Sequence, residues 1–198
     1  MKKWLIPLII IVIGVVVIWK FTAGFNNTAV AKEENAKLAW SNVESSYQRR
    51  NDLIGNLVKT VEGAADFERG TLTDVMEARA KATSVNVDAD NLSAAQIQQF
   101  QQAQQGVTSA LSRLLVTVER YPELKANQNF LQLQSQLEGT ENRINVARDR
   151  FNEAVTDYNT YIRVFPNNIF AGMFGFERME RFQADAGAEE APDVEFDF

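Results

Sequence analysis

Sixteen consecutive residues near the amino terminus, WLIPLIIIVIGVVVIW from Trp4 to Trp19, carry no charge and are rich in isoleucine and valine. In hydrocarbon the backbone finds no water to bond, so a single apolar run can cross a bilayer only as helix. Alone the run gives about 24 Å at roughly 1.5 Å per residue, less than the roughly 30 Å apolar core. Extension to Phe25 closes the gap, with Lys20 snorkelling to the interface and Trp4, Trp19, Phe21 and Phe25 anchoring the two faces. The pattern predicts a single-pass membrane anchor over residues 1–25. The competing reading is a cleavable signal peptide, with Lys2 and Lys3 as its basic start and Ala29-Val30-Ala31 as a small-x-small cleavage site. That site lies far beyond the apolar run, which favours a retained anchor. Lys2 and Lys3 place the bundle on the periplasmic or extracellular side, while Lys20, Lys32 and Lys37 compete from the other flank.

Beyond the anchor the pattern is helical. The only prolines are at positions 7, 122, 166 and 192, and few turn signals interrupt the stretches between them. A first helix is expected over about 28–64, continuous with the membrane helix, on a seam of Trp40, Val43, Tyr47, Ile54, Leu57, Val61 and Ala64. A short helix follows over 71–83, and 85–91 reads as a loop. A third helix starts at Ser93, whose spacing to Gln96 is a capping box, and ends at Tyr121-Pro122. Its seam is Ile97, Phe100, Gln104, Val107, Leu111, Leu114, Val118 and Tyr121, which leaves the crowd of glutamines in QIQQFQQAQQ on the solvated face. The fourth, over about 129–165, has the clearest period: Phe130, Leu137, Ile144, Phe151, Tyr158 and Phe165 recur every seven residues. Helices with one apolar stripe each bury it only against one another. The expected fold is therefore all-α: an N-terminal transmembrane helix, then an elongated antiparallel coiled-coil-like bundle of three long helices and one short.

One residue breaks the first seam: position 50, where the period calls for an apolar side chain, is Arg50. An unpartnered guanidinium in low dielectric costs several kcal/mol, so a carboxylate is expected on a facing helix. Glu119, next to Val118, and Glu141, next to Thr140, are the candidates, with Asp149 and Asp157 less well placed. The alternative is a guanidinium open to an anionic ligand. Asn145, Asn152 and Asn159 also repeat at seven, along the edge of the fourth helix's apolar stripe. Asparagine is a mediocre helix former, so three in register point to hydrogen bonds across to a neighbour.

The terminal region divides in two. Residues 166–182 concentrate Phe170, Met173, Phe174, Phe176, Met179 and Phe182, a density suited to capping the bundle (26–165), lying in the bilayer interface or meeting a second subunit. Residues 183–198 hold six acids and no base, which accounts for the whole net charge of -6. In that tail Val194, Phe196 and Phe198 alternate with acids, as an added edge strand would. With no basic stripe, nucleic acid is not an expected partner. The chain has no histidine and no cysteine, which removes thiolate nucleophiles, haem and iron–sulfur ligation and the usual neutral-pH proton shuttle. No glycine-rich phosphate loop is present, and Asp88-Ala89-Asp90 lacks the glycine and terminal glutamate of a calcium loop. No catalytic residue, metal or cofactor is expected.

The segments AWSNVESSYQRRNDLIGNLV, ERYPELKANQNF, TENRI and VFPNN, with GFERMERF after them, resemble the LemA family of bacterial membrane-anchored helical proteins. The resemblance implies a helical bundle behind an N-terminal membrane helix in the bacterial inner membrane, with no established catalytic activity. It also implies a cytoplasmic bundle, contrary to the charge reading. The family's polar set falls on Arg50, Asp52, Asn56, Glu119, Tyr121, Pro122, Asn129, Glu141, Asn142, Arg143 and Arg148. Of these, Arg50, Asp52, Asn56, Glu119, Glu141, Asn142 and Arg143 form the expected buried polar cluster. Gly55 stands where the family commonly has proline. Two functions follow as expectations: a membrane-anchored scaffold that self-associates and organises or remodels the bilayer, or a sensor or adaptor that regulates a partner membrane protein such as a protease or signalling kinase.

Overall fold

The computed structural model describes residues 4–63, 67–89 and 92–183, with the side chains of Leu5 and Ile6 set aside. Lys2, Lys3, Ala64 and tail residues 184–198, including Val194, Phe196 and Phe198, lie outside the described residues. Among those described, every regular element is a helix: α1 (Leu5–Glu62), α2 (Arg69–Ser84), α3 (Ala94–Val118), α4 (Pro122–Lys125), α5 (Gln128–Arg163) and α6 (Asn167–Phe174).

The 58 residues of α1 make a rod of roughly 87 Å at about 1.5 Å per residue. Its first part is long and apolar enough to cross a membrane, and there its described side chains are almost all exposed. Burial begins at Phe25 and continues through Ala29, Ala36, Trp40, Val43, Tyr47, Arg50, Ile54, Leu57 and Val61. Those steps of three, four and seven keep one stripe facing the bundle. Alongside, α5 runs antiparallel: Phe25 stacks on Tyr161, Trp40 meets Phe151 and Arg50 meets Glu141. On the other side α2 lies antiparallel to α3, with Asp74 near Arg113 and Glu68 near Arg120. The core divides along the rod into three zones. Nearest the apolar end are Phe25, Ala29, Tyr158, Ile162 and Ala171; Trp40, Phe100, Phe151 and Phe182 occupy the middle; Ile54, Leu57, Val75, Leu114, Phe130 and Leu137 fill the far end.

The helix ends follow local chemistry. Ser93 and Gln96 close the capping box at α3, each side chain bonded to the other's backbone N–H at 3.4 Å. Asn127 caps α5, which starts at Gln128, one residue earlier than expected, its Oδ1 accepting from Asn129 and Phe130. Its far end stops short of expectation too. The helix ends at Arg163, so Phe165 leaves the heptad seam and is 80% exposed, because a residue before proline is pushed out of helical geometry. The short α4, opened by Pro122, went unanticipated in sequence, while the terminal segment forms the docked helix α6, closed by Gly175 at φ 74°. The expected loop over 85–91 contributes Val87 to the core, and Leu92 just past it is buried as well.

Candidate functional site: a buried guanidinium and a strap held by asparagines

Arg50 is 2% exposed and placed by α1 at the junction of three helices. Its Nη1 donates to Glu141 Oε1 on α5 at 2.8 Å and to Thr108 Oγ1 on α3 at 3.2 Å. Its Nη2 donates to Gln104 Oε1 at 2.6 Å and, less closely, to the Gln104 carbonyl. The guanidinium carbon lies 4.8 Å from the centre of the Tyr47 ring, one turn back on α1. Only Nε is buried without a partner. A planar fork with several donors suits this junction, since one lysine ammonium cannot meet partners on two helices with the same geometry. Glu141 is 40% exposed at its side chain and lines an open groove of about 500 Å³ with Tyr47, Gln104, Thr108, Asn145 and Arg148. The charge is thus matched at the floor of an open groove.

Other members of the expected cluster lie elsewhere. α3 ends at Val118, so Glu119 falls on the following turn and pairs with Lys125 instead. From the level of Gln104 it is about 22 Å away along the helix axis, out of reach of Arg50. Asn142 and Arg143 follow Glu141 by one and two positions and so turn to solvent. Asp52 and Asn56 are exposed as well and line a second groove with Gly55, Lys59, Glu62 and Arg79. Asp149 is exposed, and Asp157 sits 3.9 Å from Lys32 at the surface. Tyr121 packs its ring against Phe67, while Pro122 and Asn129 are exposed at helix starts.

Arg79, which the sequence pattern did not single out, packs against α1 at Gly55. Its Nε donates to the Asn51 carbonyl at 2.7 Å, and its guanidinium lies 3.4 Å from where a Cβ on Gly55 would sit. The i→i−4 partner of the Asn51 carbonyl is the Gly55 N–H, the donor that a proline there would remove. α1 runs unbroken through this point, with the carbonyl receiving a second donor from α2.

The heptad asparagines do something periodicity alone did not specify. After α6 the chain turns at Gly175 and runs back along α5 as a non-helical strap over 176–183. Asn159 pairs with both main-chain groups of Met179: its Nδ2 donates to the carbonyl at 2.8 Å and its Oδ1 accepts the N–H at 3.0 Å. Asn152 does the same to Phe182, at 3.3 and 2.9 Å. The register match is geometric, because seven helical residues rise about 10.5 Å and three extended residues span about 10 Å. Asn145, the third of the series, is exposed in the groove beside Arg50 and makes no such pair with the described strap. The strap sets Phe182 against Trp40 and Phe151, beneath the Arg148 guanidinium at 4.9 Å.

Two titrating groups feel this packing. Burial, with the nearby Glu33 charge adding to it, pushes the Tyr158 phenol up to about 12, and its hydroxyl donates to the Glu177 carbonyl of the strap at 2.8 Å. Burial also raises the Glu44 carboxyl, partly offset by the Trp40 indole. That attraction falls short of hydrogen-bond geometry, since Trp40 Nε1 has no accepted partner.

At the apolar end, the terminal aromatics gather around Phe25, with Phe170, Phe174 and Phe176 between 5.7 and 6.3 Å away, ring centre to ring centre. Met179 is partly buried, whereas Met173 is 73% exposed. Trp4 stands exposed at the start of α1, and Trp19, Lys20 and Phe21 on its apolar part. Among the described residues no group of three His, Cys, Asp or Glu side chains is placed to hold a metal ion.

Comparison with known proteins adds to this geometry. Residues 39–196 match the model of the LemA family. A magnetosome protein, MamQ 2 of Paramagnetospirillum magneticum, is 30% identical over 175 residues, covering 79% of this chain and 64% of its own length. The magnetosome protein MamQ of Magnetospirillum gryphiswaldense is 29% identical over the same coverage. A protein LemA of Metamycoplasma hominis is 24% identical over 161 residues, covering 81% of this chain and 70% of its own. The chain thus spans about 64% of the length of the MamQ relatives.

Proposed function

The chain belongs to the LemA family, and from that premise we propose that it is a non-catalytic helical scaffold, anchored once in the bacterial inner membrane, that self-associates to organise or remodel the bilayer. One observation carries the reading: the apolar span and the bundle's central helix are a single unbroken α1. A helix shared in this way passes force and orientation from membrane to bundle without a hinge, as suits a structural element. The interior polar chemistry supports it, since the two Nη groups of Arg50 donate to Glu141, Gln104 and Thr108 and the group acts as a pin between helices.

The test is the size of the full chain extracted in mild detergent, by light scattering and electron microscopy. A uniform multi-subunit particle is expected, and a clean monomer overturns the scaffold. The groove beside Arg50 and Asn145 favours a second reading, an adaptor that engages a partner membrane protein. On that reading the extracted chain is small and copurifies with a stoichiometric partner.

A further inference from the structure

At the membrane-facing end, Phe165, Ile169 and Met173 are 80%, 54% and 73% exposed, and Phe174 beside them is 46% exposed. A step of four brings Ile169 and Met173 onto one side of α6, and Phe165 stands exposed in the turn that leads into it. The opposite side is fixed: Ala171 is buried, and Phe170 packs on Phe25 of α1. A short helix has therefore been docked with large apolar side chains turned outward.

Its height on α1 says what covers them. About 30 Å of hydrocarbon takes about 20 helical residues, so a span that begins at Leu5 leaves the apolar core near Gly24. Phe25, the residue to which α6 is clamped, is the next one along. The headgroup layer adds roughly 5–7 Å on each side, so α6 lies at the boundary between acyl chains and headgroups. Helices with one apolar face settle at that depth. Exposed Asn168 in the first turn, with exposed Lys20 near the anchor's end, supplies polar groups for the headgroup side.

We propose that α6 is an interfacial collar: Phe165, Ile169 and Met173 insert into the leaflet from which α1 emerges, and so fix the height and tilt of the bundle. The proposal rests on the membrane-anchor reading and adds to it a second point of lipid contact. With two contacts the rod can no longer swivel freely about its anchor, which is what aligning neighbouring copies or bending a leaflet requires.

The chain has no cysteine, so single labels are unambiguous. Full chains carrying Val16→Cys, Gln48→Cys, Ile169→Cys or Met173→Cys are spin-labelled and reconstituted into vesicles of phosphatidylethanolamine and phosphatidylglycerol. Collision with oxygen is then compared with collision with a water-soluble nickel chelate. Circular dichroism melts confirm that each variant folds. The expected ratio of oxygen to nickel accessibility is highest at 16, lowest at 48, and several-fold above that of 48 at 169 and 173. Water-like values at 169 and 173 with a deep label at 16 overturn the collar and leave the anchor standing. Exclusion of both reagents, with spin–spin broadening between labels at 173, overturns it in favour of a second copy covering the patch. A water-exposed label at 16 removes the anchor and the collar together.

Discussion

Removing the guanidinium at position 50 tests the idea that the bundle is pinned by an internal charge. In Arg50→Met the apolar volume is kept while four donor contacts, to Glu141, Thr108 and Gln104, are lost. Gln104 is 4% exposed, so its Oε1 is left as a dry acceptor, a loss of about 1–3 kcal/mol. Glu141 can hydrate through the groove and adds little. In the reverse change, Glu141→Ala, the guanidinium keeps Gln104, Thr108 and the Tyr47 face. The cost should then be about 1–2 kcal/mol, below the roughly 3–5 kcal/mol of a fully enclosed pair, because water reaches the vacated side. The two changes are not independent: the double variant should cost about as much as Arg50→Met alone, giving a coupling of about 1–2 kcal/mol. Arg50→Lys keeps the charge but not the fork and should fall between wild type and Met. The assay is urea unfolding of the detergent-solubilised full chain, followed by circular dichroism, for all four corners of the cycle. A coupling under about 0.5 kcal/mol would refute the pin, since groups in direct contact exceed that value. Retained stability with loss of binding to an anionic ligand would refute it more sharply, by showing that the guanidinium serves chemistry outside the bundle.

Further expectations follow from the strap and from α2. Asn152→Ala and Asn159→Ala each remove a two-way bond to the strap backbone, so the amides of Phe182 and Met179 should lose hydrogen-exchange protection while α5 itself stays protected; equal loss in both places would count against the clamp. Gly55→Ala should raise stability by up to about 1 kcal/mol, since helix propensity improves and the only close neighbour is the flexible end of Arg79. A loss there would mean that the Arg79 seat matters more than propensity. For Tyr158 the folded value is raised above 10, so its contribution is intact below that pH and falls as pH climbs from about 10 toward 12. Tyr158→Phe should lack that alkaline component, which parallel pH titrations of both melts would reveal. The flanking lysines predict that Gln48→Cys reacts with a membrane-impermeant maleimide in intact cells; protection until lysis would place the bundle in the cytoplasm.

Much of the helical layout was legible because it rests on short-range chemistry. The capping box at Ser93 and Gln96, the seam from Trp40 to Val61 and the apolar run before it each need only a few residues to be read. The glutamines of α3 point outward once Ile97 and Phe100 are known to point in. Positions where the pattern misled are those set by neighbours far along the chain. Glu119 and Glu141 look alike from sequence, each one step from a seam position, yet only Glu141 lies level with Arg50. Asn142 and Arg143 were grouped with them through the family's polar set, although on a helix the next residue turns by about 100° and leaves the face. Arg79 gave no local signal, since its partner is a backbone carbonyl on another helix. Asn145, Asn152 and Asn159 announced a repeat without saying what it meets.

By itself the sequence determined where the long helices run, which stripe of each is apolar, and that one end is apolar enough for a bilayer, since periodicity and capping act within a turn or two. Tertiary structure alone decided the axial offsets between those helices. From them follow the carboxylate that meets Arg50 across 91 residues of chain and the stretch of backbone that the α5 asparagines hold. A repeat fixes which face of a helix is buried; how far one rod slides along another depends on side-chain contacts between distant segments, which no local pattern encodes.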